Sequence, residues 1–299
     1  MKVYSKIDSI HSGRATDRIT SGCLVLEGGG WKGLYTLGVL DRLMEQDINF
    51  STVVGCSAGA LSALGYVAGQ IGWGARIDLT YRHDKKYCGI GAFRRDHGIT
   101  GFSYLFEDIC REHPLDQERL NDPARRLAVS ATNLITGKVE YFEKGYCDIF
   151  KAVQASASVP FVSRPVLING TPYLDGGCAE KIPYGWAEIV GEKKTVVVRT
   201  RELSYRRKSG APGITKLFYR NYPNFVTSIE NANDNFNRTA YMLNQKSKSG
   251  EVFVIAPSEQ VTVKRFDGDM EKLGKLYWLG YYDMENRMEE LKRYLEQYE

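Results

Sequence analysis

Ser57 lies at the centre of Gly55-Cys56-Ser57-Ala58-Gly59, a G-x-S-x-G pentapeptide, and its hydroxyl is the clearest candidate nucleophile in the chain. The flanking glycines Gly55 and Gly59 allow a sharp strand-to-helix turn that lifts the serine clear of the backbone. Upstream, Gly28-Gly29-Gly30-Trp31-Lys32-Gly33 closes a short apolar run. Consecutive glycines at a helix start expose backbone N–H groups that can hold a transient oxyanion, and Lys32 adds positive charge beside them. Downstream, Asp175 is followed by Gly176 and Gly177, which leave space and backbone freedom around its carboxylate. Nucleophile, oxyanion donors and a carboxylate together are the parts of serine-mediated acyl transfer.

A serine of this kind needs a base, and the chain has only four histidines, His11, His83, His97 and His113. The α/β-hydrolase order of serine, acid, then histidine is disfavoured, because no histidine follows the strands that would carry the acid. Orders with histidine ahead of serine leave His11 alone, in a polar leader. A carboxylate is therefore expected as the base, and Asp175 is the best placed. Exclusion of water around the two side chains would strengthen a hydrogen bond between Ser57 and Asp175.

The glycine turn has a competing reading. Gly28, Gly30 and Gly33 satisfy G-x-G-x-x-G between a strand and a helix, as dinucleotide-binding proteins do. That motif wants an acid at the end of the second strand, where this chain has Gly55-Cys56-Ser57. A phosphate loop of the G-x-x-x-x-G-K-[ST] type also fails, since Lys32 precedes Gly33. A nucleotide-binding protein stays as the second hypothesis, and a lipid-binding scaffold without turnover as a third.

The elements that must hold these groups read as repeated strand-to-helix units. Cys23 to Glu27 is a strand, followed by a helix with Leu34, Leu37, Leu40 and Leu43 at regular intervals. Ser51 to Val54 is a second strand, and Ala60 to Val67 its helix. Further strands are expected at Leu127 to Ala131, Val139 to Phe142, Thr195 to Arg199 and Val252 to Ile255, with a helix from Asp148 to Ser156. Val166-Leu167-Ile168 and Pro172-Tyr173-Leu174 flank Asn169-Gly170, a hairpin signal. Residues 202–248 read as loops and helices over the sheet, and Met270 to Gln297 as helical. The expected fold is a three-layer α/β/α domain with a mostly parallel central sheet and helical C-terminal additions. One domain over 1–299 is expected, with the catalytic core at about 22–200 and covering structure plus one strand at 201–299.

Composition bounds the partners. Lys and Arg number 40 against 36 Asp and Glu, and this small excess gives no reason to expect nucleic acid. The hydrophobic share of 43% excludes wholesale disorder. Six cysteines without a C-x-x-C pair suggest free thiols and no zinc or redox motif. No stretch has the length of a membrane span, so the expectation is a cytoplasmic protein, with any membrane contact peripheral at the inner surface. Oligomeric state is left open.

Taken together, Gly28-Gly29-Gly30-Trp31-Lys32-Gly33, Gly55 to Gly59, Asp175-Gly176-Gly177 and the small-residue block Ala155-Ser156-Ala157-Ser158-Val159-Pro160 resemble the patatin-like phospholipases, in the right order over roughly 22–180. The resemblance implies a Ser57-Asp175 dyad, with Asp175 activating the serine and then water. It places the oxyanion hole at the N–H groups of Gly28, Gly29 and Gly30, and the family's basic position at Lys32. It further implies hydrolysis of a phospholipid or other fatty acyl ester through an acyl-serine intermediate, without metal or cofactor. Cys56 fills the motif's variable position and is expected to pack, while Ser156 and Ser158 are expected to shape a helix end beside the site. The region beyond about residue 200 matches no motif of the family and is expected to carry acyl-chain selectivity. Tyr277, Trp278, Tyr281 and Tyr282 are expected to serve tertiary packing rather than a lipid surface.

Overall fold

The structure is a computed structural model and describes residues 2–297; Met1, Tyr298 and Glu299, included in the 1–299 domain expectation, lie outside the described residues. A two-stranded ribbon joins β1 (Gly13–Arg14) to β4 (Gln70–Ile71). Among the described residues the main sheet holds eight strands: β2 (Thr20–Leu26), β3 (Phe50–Cys56), β5 (Arg126–Asn133), β6 (Val139–Glu143), β7 (Val166–Ile168), β8 (Thr171–Asp175), β9 (Thr195–Val198) and β10 (Phe253–Ile255). Pairing runs β10-β9-β2-β3-β5-β8-β7, with β6 also on β5. The pairs from β10 through β5 are parallel, and those of β5 with β6 and β8, and of β8 with β7, are antiparallel.

Helices cover both faces, which is why β2 reads as an unbroken apolar run rather than an alternating one. Leu24 and Leu26 join a core with Leu34, Leu40 and Tyr277, while Cys23 and Val25 join a second core with Phe236, Ala240 and Leu243. The first layer contains α1 (Gly33–Glu45), α2 (Ala58–Val67), α3 (Trp73–Tyr81) and α4 (Ile149–Ala157). Asp148 caps α4 by accepting from the Lys151 N–H at 3.1 Å. The second layer is dominated by α5 (Pro223–Lys248), a 26-residue helix with Pro223 in its first turn. Two C-terminal helices, α6 (Met270–Asn286) and α7 (Met288–Glu296), return to the first layer. A Cβ on Gly38 or Gly280 would strike the backbone of the opposing helix, so α1 and α6 cross at glycine contact.

Most expected elements are present with ends moved by a residue or two. The expected polar stretch at 202–248 resolves into loops, a short helix at Thr215–Phe218 and the long α5. Its buried stripe of Phe225, Ala232, Phe236, Ala240 and Leu243 has helical spacing, but two alanines among mostly polar neighbours blunt the signal. Tyr277 and Tyr281 are buried and bonded to Asp41 and Glu45, as expected of packing residues, whereas Tyr282 is exposed.

One detail of register positions the site. On β5, residues 128–132 pair with β6, overlapping both the stretch paired with β3 and that paired with β8. Because a strand has two edges, β3 and β8 must share the edge opposite β6. They run toward each other along it: Cys56 faces Ser130, and Asp175 faces the next residue, Ala131. The carboxyl ends of the two strands therefore meet head on.

Candidate active site

Ser57 is a one-residue turn between β3 and α2, with φ 54° and ψ −119°. A non-glycine residue at positive φ is strained, and here that strain projects the side chain off the sheet edge. The neighbours make the turn possible. A Cβ on Gly55 would come within 2.5 Å of the Gly59 backbone, and one on Gly59 within 2.5 Å of the Leu26 carbonyl oxygen. The Ser57 N–H donates to Ser156 Oγ at 2.8 Å, and Ser156 is fully buried at the end of α4.

The Ser57 hydroxyl donates to Asp175 Oδ2 at 2.8 Å, across a sequence separation of 118 residues. The other carboxylate oxygen, Oδ1, accepts from the Gly177 N–H at 2.7 Å. Backbone bonds fix Asp175 further: its N–H donates to the Ser158 carbonyl at 2.9 Å, and its carbonyl accepts from Thr132 Oγ1 at 2.9 Å. Ser57 and Asp175 keep only 7% and 8% of their surface exposed, enough to meet a ligand from one side. A Cβ on Gly176 would strike the Ser130 carbonyl, so the turn after Asp175 admits no side chain there.

Both groups open into a pocket of about 580 Å³, whose lining also includes Gly28 to Gly33. The three expected oxyanion donors are not equivalent. The Gly28 N–H donates to the Lys181 carbonyl at 2.9 Å, whereas no acceptor among the described residues meets the N–H of Gly29 or Gly30. Gly30 has φ +57°, and its turn is held by Arg265, whose carbonyl accepts from the Trp31 N–H at 3.4 Å. Lys32 is buried, and burial followed by repulsion from Arg201, Arg265 and Arg207 lowers its pKa to about 7. Burial also holds the Cys56 thiol well above its ordinary pKa, so Cys56 stays a packing residue.

One wall of the pocket is apolar, with Leu37, Leu61, Trp73, Ile77, Leu105 and Val159. The lining is also cationic, with Lys181, Arg201, Arg207, Lys264 and Arg265 joining Lys32. None of the four histidines lines it; His11 contacts Glu45 and His83 the Gly268 carbonyl. Sequence places none of the cationic residues after 180 at the site, Arg207 reading only as part of the basic run Arg206-Arg207-Lys208, and does not pair Ser156 with the Ser57 N–H. They lie outside the recognised glycine and serine turns, and only the fold brings them to the pocket.

The patatin-like phospholipase family matches residues 24–187, and a domain of unknown function (DUF6363) matches residues 222–296. The chain is 30% identical over 182 residues to the uncharacterized protein YjjU of Escherichia coli, covering 59% of this chain and 51% of that protein. It is 28% identical to a probable lipid hydrolase, 463L, of Invertebrate iridescent virus 6, covering 57% and 64% of the two chains. It is 26% identical to a lysophospholipase, nte1, of Emericella nidulans, covering 56% of this chain and 11% of that one. These alignments thus span less than two thirds of each relative. In fold, the chain resembles VipD from Legionella pneumophila with a TM-score of 0.50 at 14% identity, over 95% of this chain and 68% of that one. With a family match covering more than half of its length and both glycine-flanked motifs inside it, the chain belongs to the patatin-like phospholipase family.

Proposed function

We propose that this protein is a lipid acyl-ester hydrolase of the phospholipase A or lysophospholipase type, working through a Ser57-Asp175 dyad. The observation that carries the reading is the 2.8 Å hydrogen bond from the Ser57 hydroxyl to Asp175, on a strained turn that opens into a pocket of about 580 Å³. In the first half-reaction Ser57 Oγ attacks the ester carbonyl as its proton passes to Asp175 Oδ2. The carbonyl oxygen becomes an oxyanion beside the N–H groups of Gly29 and Gly30, and Lys32 adds to the field in its protonated form. Collapse of this intermediate expels the alcohol, which takes the proton from Asp175, and leaves acyl-Ser57. In the second half Asp175 takes a proton from water, the hydroxide attacks the acyl carbonyl, and Ser57 Oγ leaves with that proton. Gly28 serves the turn by its bond to Lys181 and contributes least as a donor. The unmatched acid of the dinucleotide motif and the position of the glycine turn beside Ser57 favour this reading over nucleotide binding.

We also read the chain as one folded unit, since β10 extends the main sheet and α6 packs on α1. No helix among the described residues is long and apolar enough to cross a membrane, and the proposed membrane contact is peripheral.

Ser57→Ala and Asp175→Asn should each lower turnover of p-nitrophenyl butyrate by at least about 100-fold, with far-UV circular dichroism unchanged. A fluorophosphonate probe should label the wild type at Ser57 and not label Ser57→Ala. Substantial turnover by either variant would sink the dyad. A folded wild type that neither reacts with the probe nor turns over ester would point to the non-catalytic scaffold.

A further inference from the structure

Among the described residues six cations line the pocket, Lys32, Lys181, Arg201, Arg207, Lys264 and Arg265, and all but Lys264 form one electrostatically linked group of five. They act on one another, since Lys32 feels Arg201, Arg265 and Arg207, and Lys181 feels Arg207 and Arg265. Among the described residues no carboxylate forms an ion pair with any of the five. Glu27 draws on Lys32 and Arg207, but its Oε2 is already taken by Arg199 Nε at 2.8 Å and the Thr200 N–H at 3.0 Å. The acids that line the pocket are Asp175, bonded to Ser57, and Asp78, bonded to the Tyr87 hydroxyl at 2.6 Å.

The cationic wall is also held in place. Arg201 and Arg207 lie over the Tyr205 ring at 4.5 and 5.7 Å, and Arg207 over the Phe236 ring at 4.5 Å. Lys181 Nζ donates to the Gly177 carbonyl at 2.7 Å, next to Asp175. Yet the Nε atoms of Arg201 and Arg207 are buried without a hydrogen-bond partner. Buried donors of this kind are costly to leave unpaired, and like charges gathered without counter-charge are costlier still. The cost of the gathered charge falls when a compact dianion with several acceptor oxygens enters, because guanidinium groups pair with phosphate through charge-assisted hydrogen bonds.

We propose that this wall is a phosphate subsite, so that the acyl ester presented to Ser57 carries an anionic phosphate beside the scissile group and no choline-type cation. The inference rests on the hydrolase reading for its substrate, but not for its test. The apolar wall takes the acyl chain and the cationic wall the head group, with Ser57 between them. Residues 201, 207 and 265 thereby give the segment beyond the patatin match a role in head-group selection, where the sequence suggests acyl-chain selection. Burial and mutual repulsion lower Lys32 to about 7 and Lys181 to about 8, and a bound phosphate would restore their charge.

The test uses the full chain with Ser57→Ala, which removes turnover, and calorimetric titration of octyl phosphate, octylphosphocholine and inorganic phosphate below aggregation concentrations. Octyl phosphate should bind at least about tenfold tighter than octylphosphocholine, the size expected from one or two charge-assisted hydrogen bonds. It should also bind tighter than inorganic phosphate, and Arg207→Gln or Arg201→Gln should remove most of the preference. Equal affinity for the two octyl ligands, or a preference untouched by both arginine variants, overturns the proposal. Inorganic phosphate binding as tightly as octyl phosphate overturns the lipid head-group assignment in favour of a free-phosphate site. All of these outcomes are independent of whether the wild type hydrolyses p-nitrophenyl butyrate.

Discussion

Glu27→Gln, one residue before the glycine turn, should be among the most damaging single changes outside the pocket. Glu27 and Arg199 are both completely buried and joined by one contact of 2.8 Å. Their remaining polar atoms, Glu27 Oε1 and Arg199 Nη1 and Nη2, have no hydrogen-bond partner, and the guanidinium rests over the Phe236 ring at 5.3 Å. Glutamine keeps the shape and can still accept from the Thr200 N–H, so what it removes is the charge that compensates Arg199. Breaking one side of a buried pair costs about 3–5 kcal/mol, against a total stability of about 5–15 kcal/mol. The midpoint of thermal unfolding should accordingly drop by on the order of 10 °C. The assay is guanidinium unfolding followed by circular dichroism, run on Glu27→Gln, Arg199→Met and the pair Glu27→Leu with Arg199→Met. An ion pair so poorly satisfied should be replaceable, and the double variant should regain most of what either single change loses. A loss under about 1 kcal/mol in Glu27→Gln, or a double variant as weak as the sum of its parts, would refute this account of the pair.

Ser156→Ala removes the acceptor of the Ser57 N–H and leaves a strained, buried donor unpaired. It should lower kcat for p-nitrophenyl butyrate by roughly 10-fold with little change in KM, in line with about 1–3 kcal/mol for an orphaned donor; unchanged kcat would show that α4 does not hold the elbow. Asp41, fully buried and bonded to the Gly72 N–H and the Tyr277 hydroxyl, has its pKa pushed up to about 7, first by desolvation. Its folded form binds a proton more tightly than the unfolded chain does. Its contribution to stability is thus full below the unfolded value near 4 and is lost as pH rises through about 7. Asp41→Asn should flatten that part of the stability profile, measured by urea unfolding between pH 4.5 and 7.5, and a slope identical to wild type would exclude Asp41 as its source.

The chemistry-bearing turns were legible because each is local: Gly55 to Gly59 and Gly28 to Gly33 state their backbone geometry in five or six residues. The scarcity of histidine then pointed to a carboxylate, and Asp175 does meet Ser57. What stayed illegible is non-local. The pocket wall at Trp73 to Leu105 comes from short helices between β4 and β5, with few periodic apolar positions to announce them. The cations at 201, 207 and 265 look like ordinary surface charge until the chain folds them against Lys32. The donor status of Gly28 depended on a carbonyl 153 positions away, Lys181, which no motif encodes. Likewise, α1 and α6 meet through Gly38 and Gly280, a contact visible only when the two helices are paired.

The meeting of β3 and β8 on one edge of β5 makes that middle strand a ruler. A slip of one residue in either neighbour would shift its tip by about 3.3 Å, more than the whole bond between hydroxyl and carboxylate. Chain inserted between the two strands, such as the stretch that builds the outer pocket, can vary in length without disturbing the measurement. The same construction has a temporal side. Until β5 has docked both partners, a growing or partly unfolded chain carries the Ser57 hydroxyl without the Asp175 carboxylate beside it. On the proposed dyad, reactivity of Ser57 toward a fluorophosphonate would report completed assembly of this edge.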